Sequence, residues 1–181
     1  MDKTEITHLA ISVITISLAF SLAFLQDFPL IFLTVGLGFV LHEMGHRIAA
    51  KKFGCIAVYR AWMEGLVLAL IMAFATAGRF VFAAPGAVYI YKPNLTMREN
   101  GIISAAGPLM NILLGFFFLW MFWGTQYSIF AVWGFKVNMF LAVFNLIPFG
   151  PLDGSKVLRW NKTVWALMFL PLLFLNFAGI F

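Results

Sequence analysis

Residues 30–50, LIFLTVGLGFVLHEMGHRIAA, decide the fold class of this chain. The hydrocarbon core of a bilayer is about 30 Å thick, and a helix of roughly 20 apolar residues spans it. This stretch has that length, and it carries no charged side chain before its second half. It predicts a membrane-spanning helix that holds His42, Glu43 and His46 inside the bilayer.

The composition of the whole chain agrees with an integral membrane protein. Hydrophobic residues make up 63% of the 181 residues and charged residues only 10%, which is too little polar surface to keep a globular protein of this size soluble. The net charge of +5 could suggest nucleic-acid binding. However, the Lys and Arg residues lie mainly between apolar runs, where they act as topology signals and contact anionic lipid. We therefore expect the lipid bilayer, and no nucleic acid, as a partner.

Six apolar runs predict an all-α polytopic membrane protein. They cover residues 9–25, 30–50, 62–77, 102–123, 129–147 and 164–181. The third run is short for a spanning helix. No soluble domain or internal repeat separates the runs, so we treat residues 1–181 as a single membrane-embedded domain.

Residues 78–91, between the third and fourth runs, predict a short β-hairpin. Aromatic and β-branched residues lie on both sides of Pro85-Gly86, and such a dipeptide is typical of a turn between two strands. An irregular amphipathic connection is the alternative. Lipid cannot satisfy the backbone groups at a strand edge, so a hairpin here must lie against protein or at the membrane surface.

The motif from His42 to His46, HEMGH, predicts a metal site. Two histidines four residues apart lie about 5–6 Å from each other on one helix face, so both imidazoles can bind one zinc ion. Glu43 can then take a proton from a water molecule that the metal activates. The alternative is three polar residues that meet by chance, but ionisable groups inside a spanning helix are costly without a partner.

Asp153 is the predicted third ligand. A catalytic zinc site uses three protein ligands and keeps one position open. Asp153 follows Pro148 and Pro151 in NLIPFGPLDG, and these prolines break the helix at the end of an apolar run. Irregular backbone at membrane depth occurs only where it lines a protein or water-filled cavity. A simple helix-ending turn residue is the alternative, while Glu64 and Glu99 lie in polar-flanked connections.

Together, HEMGH at 42–46 and NLIPFGPLDG at 145–154 resemble the motifs of the site-2 protease family of intramembrane metalloproteases. GPLMN at 107–111 resembles the middle core helix of that family, so the resemblance covers residues 30–159. It implies that one zinc ion is bound by His42, His46 and Asp153. It also implies that Glu43 is the catalytic base and that Asn145 helps to hold the substrate or the developing oxyanion.

The chain departs from the family in two respects. Residues 1–181 contain no PDZ-like or CBS module, and the run at 62–77 is additional to the three core helices. Asn111, within GPLMN, could bond across to the metal-binding helix, although polar residues at such positions also serve as ordinary helix-packing contacts.

Sharing one metal ion constrains the topology. The second run and the turn after the fifth must leave the bilayer on the same side, so residues 62–91 make no net crossing. About five runs then span the membrane, and the third lies at the interface or re-enters. Basic residues favour the cytoplasmic side, so the N-terminus and the zinc side are predicted to be cytoplasmic and the C-terminus opposite. In this arrangement the opposite side carries one basic residue, Lys136. The zinc side carries nine, which are Lys3, Lys51, Lys52, Arg60, Lys92, Arg98, Lys156, Arg159 and Lys162.

These features predict a zinc metalloprotease that cleaves a peptide bond within or near the transmembrane helix of a membrane-protein substrate. Such a helix hides its carbonyls in hydrogen bonds and must unwind first. The hairpin edge could then pair with the unwound segment, or the hairpin could merely cover the site. Two other functions stay open. One is a prenyl-protein-type metalloprotease, which normally takes a Glu as third ligand. The other is a membrane binding or transport protein that holds zinc without hydrolysis and has no need of Glu43.

Overall fold

The computed structural model describes residues 1–23, 25–79, 81 and 85–179. These residues form helices with one small sheet. In chain order the elements are α1 (Lys3–Ser21), α2 (Leu25–Lys52), β1 (Ile56–Ala61), α3 (Met63–Ala75), β2 (Gly86–Tyr91), α4 (Met97–Phe122), α5 (Ser128–Leu146), α6 (Asp153–Trp160) and α7 (Lys162–Phe177).

Four helices are long and apolar enough to cross a membrane: α1, α2, α4 and α5. The apolar helices α3 and α7 are shorter, with 13 and 16 residues. Many large apolar side chains point outward, including Trp120 and Phe174, which are 76% and 71% exposed. An outer surface of this kind suits lipid rather than water. The predicted class, an all-α polytopic membrane protein with a small β element, is confirmed.

Capping residues explain why α1 and α4 begin before the apolar runs that predicted them. Asp2 and Glu5 form a capping box at the start of α1, and Thr96 and Glu99 form one at the start of α4. Such side chains bond the first free N–H groups of a helix. Both helices therefore start with a polar turn that hydropathy alone leaves out.

The two strands pair in antiparallel register, from Ile56 opposite Tyr91 to Ala61 opposite Gly86. A pair of antiparallel strands is present, and its second strand is the predicted one. The prediction was wrong about the first strand. β2 follows Pro85 as expected, yet its partner is β1 and not the residues just before Pro85. Those residues include Phe80 and 82–84, which lie outside the described part of the chain. The carbonyl of Pro85 accepts a hydrogen bond from the N–H of Trp62 at 3.0 Å, which places Pro85 beside the end of β1.

Helix α1 holds the sheet through polar side chains. Glu5 is buried, forms an ion pair with Arg47 of α2 and accepts the backbone N–H of Tyr59 at 3.1 Å. His8 Nδ1 accepts the N–H of Ala61 at 3.2 Å. The Tyr59 hydroxyl donates to Ser12 at 2.8 Å, and burial raises the pKa of Tyr59, so this hydroxyl keeps its proton. The outer edge of β1 is thus covered by α1.

Small residues bring α2 and α4 into close contact. A Cβ added at Gly45 of α2 would lie 2.7 Å from the carbonyl oxygen of Ala106 on α4. A Cβ added at Gly107 of α4 would meet the imidazoles of His42 and His46. Glycines at such crossings allow two backbones to approach closely. The backbone of α4 therefore forms one wall behind the two histidines.

Candidate zinc site

The structure brings together the three predicted metal ligands. His42 and His46 lie on consecutive turns of α2, and Asp153 is the first residue of α6. Asp153 Oδ2 lies 3.3 Å from His42 Nε2 and 3.1 Å from His46 Nε2, and the two Nε2 atoms are 3.0 Å apart. All three side chains are buried. Their ligand atoms lie within 4.8 Å of one another, close enough to share one ion.

The hydrogen bonds around the histidines orient both Nε2 atoms so that they could share one cation. His42 Nδ1 donates to Asn111 Oδ1 at 2.6 Å, and His46 Nδ1 donates to the carbonyl of Ile103 at 2.8 Å. A neutral imidazole has one donor and one acceptor nitrogen, so both Nε2 atoms present lone pairs. Together with Asp153 Oδ2, three acceptors converge on one point. Two imidazole nitrogens and one carboxylate oxygen form a donor set that zinc favours.

Asp153 makes polar contacts through both of its carboxylate oxygens. Oδ2 faces the two histidines. Its second oxygen, Oδ1, lies 3.6 Å from Lys156 Nζ. A Cβ added at Gly154 would overlap the carbonyl group of Leu146. The turn after α5 therefore folds tightly onto the end of that helix and delivers Asp153 to the histidines.

Glu43 lies beside the ligands and is also buried. Its carboxylate lies near the backbone of Val88 on β2. Among the described residues, its Oε2 atom has no hydrogen-bond partner. Buried polar atoms without a partner are rare in proteins and often mark a catalytic role. The free oxygen is available for a proton or a water molecule.

Asn145, the fifth predicted site residue, is half-buried in the last turn of α5. Its Nδ2 donates to the carbonyl of Leu141 in the same helix at 2.9 Å. This bond does not tie Asn145 to the histidines or to Asp153. Its role in holding the substrate or the oxyanion stays a prediction.

Several neighbours of the site were missed or left open by the sequence. The bond from Asn111 to the metal helix, one of the two alternatives for this residue, is present. Asn138 lies behind Asn111 and was not singled out, although a polar residue in the middle of an apolar run is a usable signal. Ile103 contributes a backbone carbonyl, which leaves no trace in a sequence.

Curated relatives were found by sequence comparison, whereas no family model and no solved structure matches the chain. The chain is 45% identical to "Putative zinc metalloprotease MJ0611" of Methanocaldococcus jannaschii, over 95% of this chain and 92% of the relative. It is 27% identical to "Putative zinc metalloprotease YwhC" of Bacillus subtilis, over 72% and 68%. It is 32% identical to "Putative zinc metalloprotease Rip2" of Mycolicibacterium smegmatis, over 66% and 52%.

The first of these alignments extends over nearly the full length of both chains, which is sufficient to show that the two proteins are homologous. The relatives are named as zinc metalloproteases. The cluster of His42, His46 and Asp153 supplies the ligand types that such an enzyme needs. The polytopic architecture and the paired HEMGH and NLIPFGPLDG motifs agree with the same group. The chain is a zinc metalloprotease that belongs to the site-2 protease family.

Proposed function

We propose that this metalloprotease cleaves within or near the transmembrane segment of membrane-protein substrates. The observation that carries the proposal is the position of the site. His42 and His46 lie on α2, a helix of 28 residues that is long and apolar enough to span a bilayer. A buried metal site on such a helix is reached from within or beside the membrane. A substrate helix in the same membrane is the partner that suits it.

The roles of the site residues follow from their chemistry. We assign His42, His46 and Asp153 as the ligands of one zinc ion. When bound, zinc supplies Lewis-acid chemistry, since it polarises a peptide carbonyl and makes water a better nucleophile. Glu43 accepts the proton of the attacking water and later gives it to the leaving amine. Asn145 retains a second amide N–H beyond the one bonded to Leu141, and this N–H is available for the substrate or the oxyanion.

The sheet offers one edge for an unwound substrate. In an antiparallel pair, residues alternate between hydrogen-bonded and non-hydrogen-bonded positions. The N–H groups of Tyr59 and Ala61 bond to side chains of α1, so these residues occupy non-hydrogen-bonded positions. Their partners, Val88 and Gly86, must then direct their backbone groups away from β1. The open edge of the sheet is therefore that of β2.

The open edge lies on the side of the catalytic base. The backbone of Val88 lies near Glu43, so a strand added along β2 would pass next to that carboxylate. Strand addition would replace the hydrogen bonds that the substrate helix loses when it unwinds. This contact supports the edge as a binding surface rather than a simple cover of the site.

The sheet also supports the proposed topology. Residues 62–85 leave and rejoin the sheet at paired positions, because Ala61 lies opposite Gly86. Helix α3, with 13 residues, is only about 20 Å long. We propose that this stretch makes no net crossing, that the zinc side and the N-terminus face the cytoplasm, and that the C-terminus faces the other side.

Purified protein in liposomes with zinc and a single-span substrate tests this function. We expect the wild type to cleave within or near the span, and Glu43→Gln to bind zinc without cleavage because only the proton acceptor is lost. Glu64→Gln, which changes an exposed acid on α3, is the matched control and should cleave normally. Cleavage by Glu43→Gln at the wild-type rate would refute the mechanism, and cleavage only in distant soluble loops would refute the intramembrane assignment. Zinc flux without cleavage in both proteins would instead indicate a transporter.

A further inference from the structure

Asn111 joins three helices at the back of the zinc site. It lies on α4 and is fully buried. Its Oδ1 accepts from His42 Nδ1 at 2.6 Å. Its Nδ2 donates to the carbonyl of Gly38 on α2 and to Asn138 Oδ1 on α5, both at 3.0 Å. All the hydrogen-bonding atoms of this amide group are engaged.

The chemistry of the backbone fixes the direction of these hydrogen bonds. A carbonyl oxygen can only accept. Asn138 Nδ2 donates to the carbonyl of Gly134 at 2.8 Å, so Asn138 must present Oδ1 to Asn111. Asn111 donates to that oxygen and to the carbonyl of Gly38, so it must present Oδ1 to His42. The Nδ1 atom of His42 must therefore carry the proton.

We propose that Asn111 is a positioning residue for the zinc ligand His42, and that Asn138 acts on His42 through Asn111. The pair holds the imidazole in the tautomer that leaves Nε2 free for the metal, and it fixes the orientation of the ring. Partners of this kind orient metal-binding histidines and strengthen them as ligands. The inference rests on the proposed ligand role of His42, but it does not depend on the substrate being a membrane protein.

The same hydrogen bonds connect two parts of the ligand set. Asn138 lies on α5, and the turn after α5 leads to Asp153. His42 lies on α2, which approaches α5 so closely that a Cβ added at Gly38 would lie 2.5 Å from Asn138 Oδ1. These hydrogen bonds therefore fix the position of α5, which leads to the third ligand, relative to α2, which carries the first.

Zinc affinity, measured by competition with a chromogenic chelator, tests the proposal. Asn111→Leu keeps approximate shape but removes the acceptor for His42. We expect it to weaken zinc binding by about 10–100-fold, the usual loss for such partners, and to alter the visible spectrum of bound Co²⁺. Asn138→Leu should have a smaller effect. In the Asn111→Leu background, Asn138→Leu should add nothing, because it acts only through Asn111.

Two further variants separate positioning from general stability. Thr34→Val removes a buried hydroxyl of α2 that bonds to the carbonyl of Leu30, about two helical turns before His42, so it should leave the zinc affinity unchanged. Asn111→Asp keeps an acceptor for His42 but loses the donors, so it should bind zinc more tightly than Asn111→Leu. If Asn111→Leu does not fold, Asn138→Leu and Asn111→Asp still provide the comparison.

Some outcomes would overturn the proposal. These are wild-type zinc affinity in Asn111→Leu, equal weakening in Asn111→Asp and Asn111→Leu, or additive effects of Asn111→Leu and Asn138→Leu. These readouts are independent of catalysis. If no membrane substrate is cleaved but zinc affinity changes as expected, the proposed function fails and the positioning role remains.

Discussion

Ala61 and Gly86 lie opposite each other in the sheet, although the whole of α3 separates them in the sequence. Next to this pair, the N–H of Trp62 donates to the carbonyl of Pro85. The stretch 62–85 therefore begins and ends at one place. This closure supports the proposal that the elements before and after it lie on the same side of the bilayer.

Cysteine accessibility tests the topology directly. We expect single cysteines at the exposed positions Lys52, Arg98 and Arg159 to react with an impermeant reagent from the cytoplasmic side alone. A cysteine at Thr125 should react only from the other side, because it lies between the spanning helices α4 and α5. The background is Cys55→Ala, which removes the buried native thiol. Opposite labelling of Lys52 and Arg98 would mean that residues 62–91 cross the membrane.

Gly107→Ala should weaken zinc binding and cleavage together. The added Cβ would meet the imidazoles of His42 and His46, which cannot move without losing their Nδ1 hydrogen bonds. We expect at least a tenfold loss of zinc affinity, in line with losses seen when histidine ligands are misoriented. Gly115→Ala on the same helix is the control. Its Cβ would come close only to the flexible terminal methyl of Met139, while Asn138 Cβ and the carbonyl oxygen of Phe135 would lie at an ordinary contact distance of 3.4 Å. Equal zinc affinity in the two variants would contradict this account.

Val88→Pro should abolish cleavage while zinc binding persists. Proline removes a backbone N–H, and at Val88 that N–H faces the open edge rather than β1. The ladder to β1 should therefore survive, as prolines are tolerated at sheet edges, while the N–H that lies near Glu43 and could pair with a substrate strand is lost. Val88→Ala keeps the N–H and is the control. Normal cleavage by Val88→Pro would remove the edge of β2 from the proposed mechanism.

Glu5→Ala should destabilise the protein markedly. Arg47 would be left buried without its partner, and breaking a buried ion pair in this way costs about 3–5 kcal/mol. The N–H of Tyr59 would also lose its acceptor. Thermal unfolding in detergent measures the effect, with Asp27→Ala, a change of an acid outside this contact, as the control. Equal melting temperatures for the two variants would show that the ion pair contributes little.

Removal of zinc should also lower stability. The ligand atoms His42 Nε2, His46 Nε2 and Asp153 Oδ2 lie 3.0–3.3 Å from one another, and a bound cation would offset the repulsion among their lone pairs. A ligand that binds only the folded state stabilises it by about 2.7 kcal/mol at a hundredfold excess over its dissociation constant. Dialysis against a chelator should therefore lower the melting temperature, and added zinc should restore it. Asp153→Ala should show little response to zinc.

Local spacing explains why much of the site could be predicted. His42, Glu43 and His46 belong to one helix, where four-residue spacing places side chains together. Asp153 was predictable because Pro148 and Pro151 mark a break in an apolar run. The carbonyl of Ile103 could not be predicted, because every residue carries one. The identity of β1 was missed because strand pairing is non-local, whereas Pro85-Gly86 suggested a local turn.

The capping of β1 by α1 bears on how the protein is made. The ribosome synthesises α1 before either strand, so Glu5 and His8 are already present when β1 emerges. The outer edge of β1 then has acceptors for its N–H groups before β2 exists. An exposed strand edge is a template for pairing with other chains and for aggregation. The order of the elements along the chain therefore shields the nascent sheet from its neighbours during synthesis.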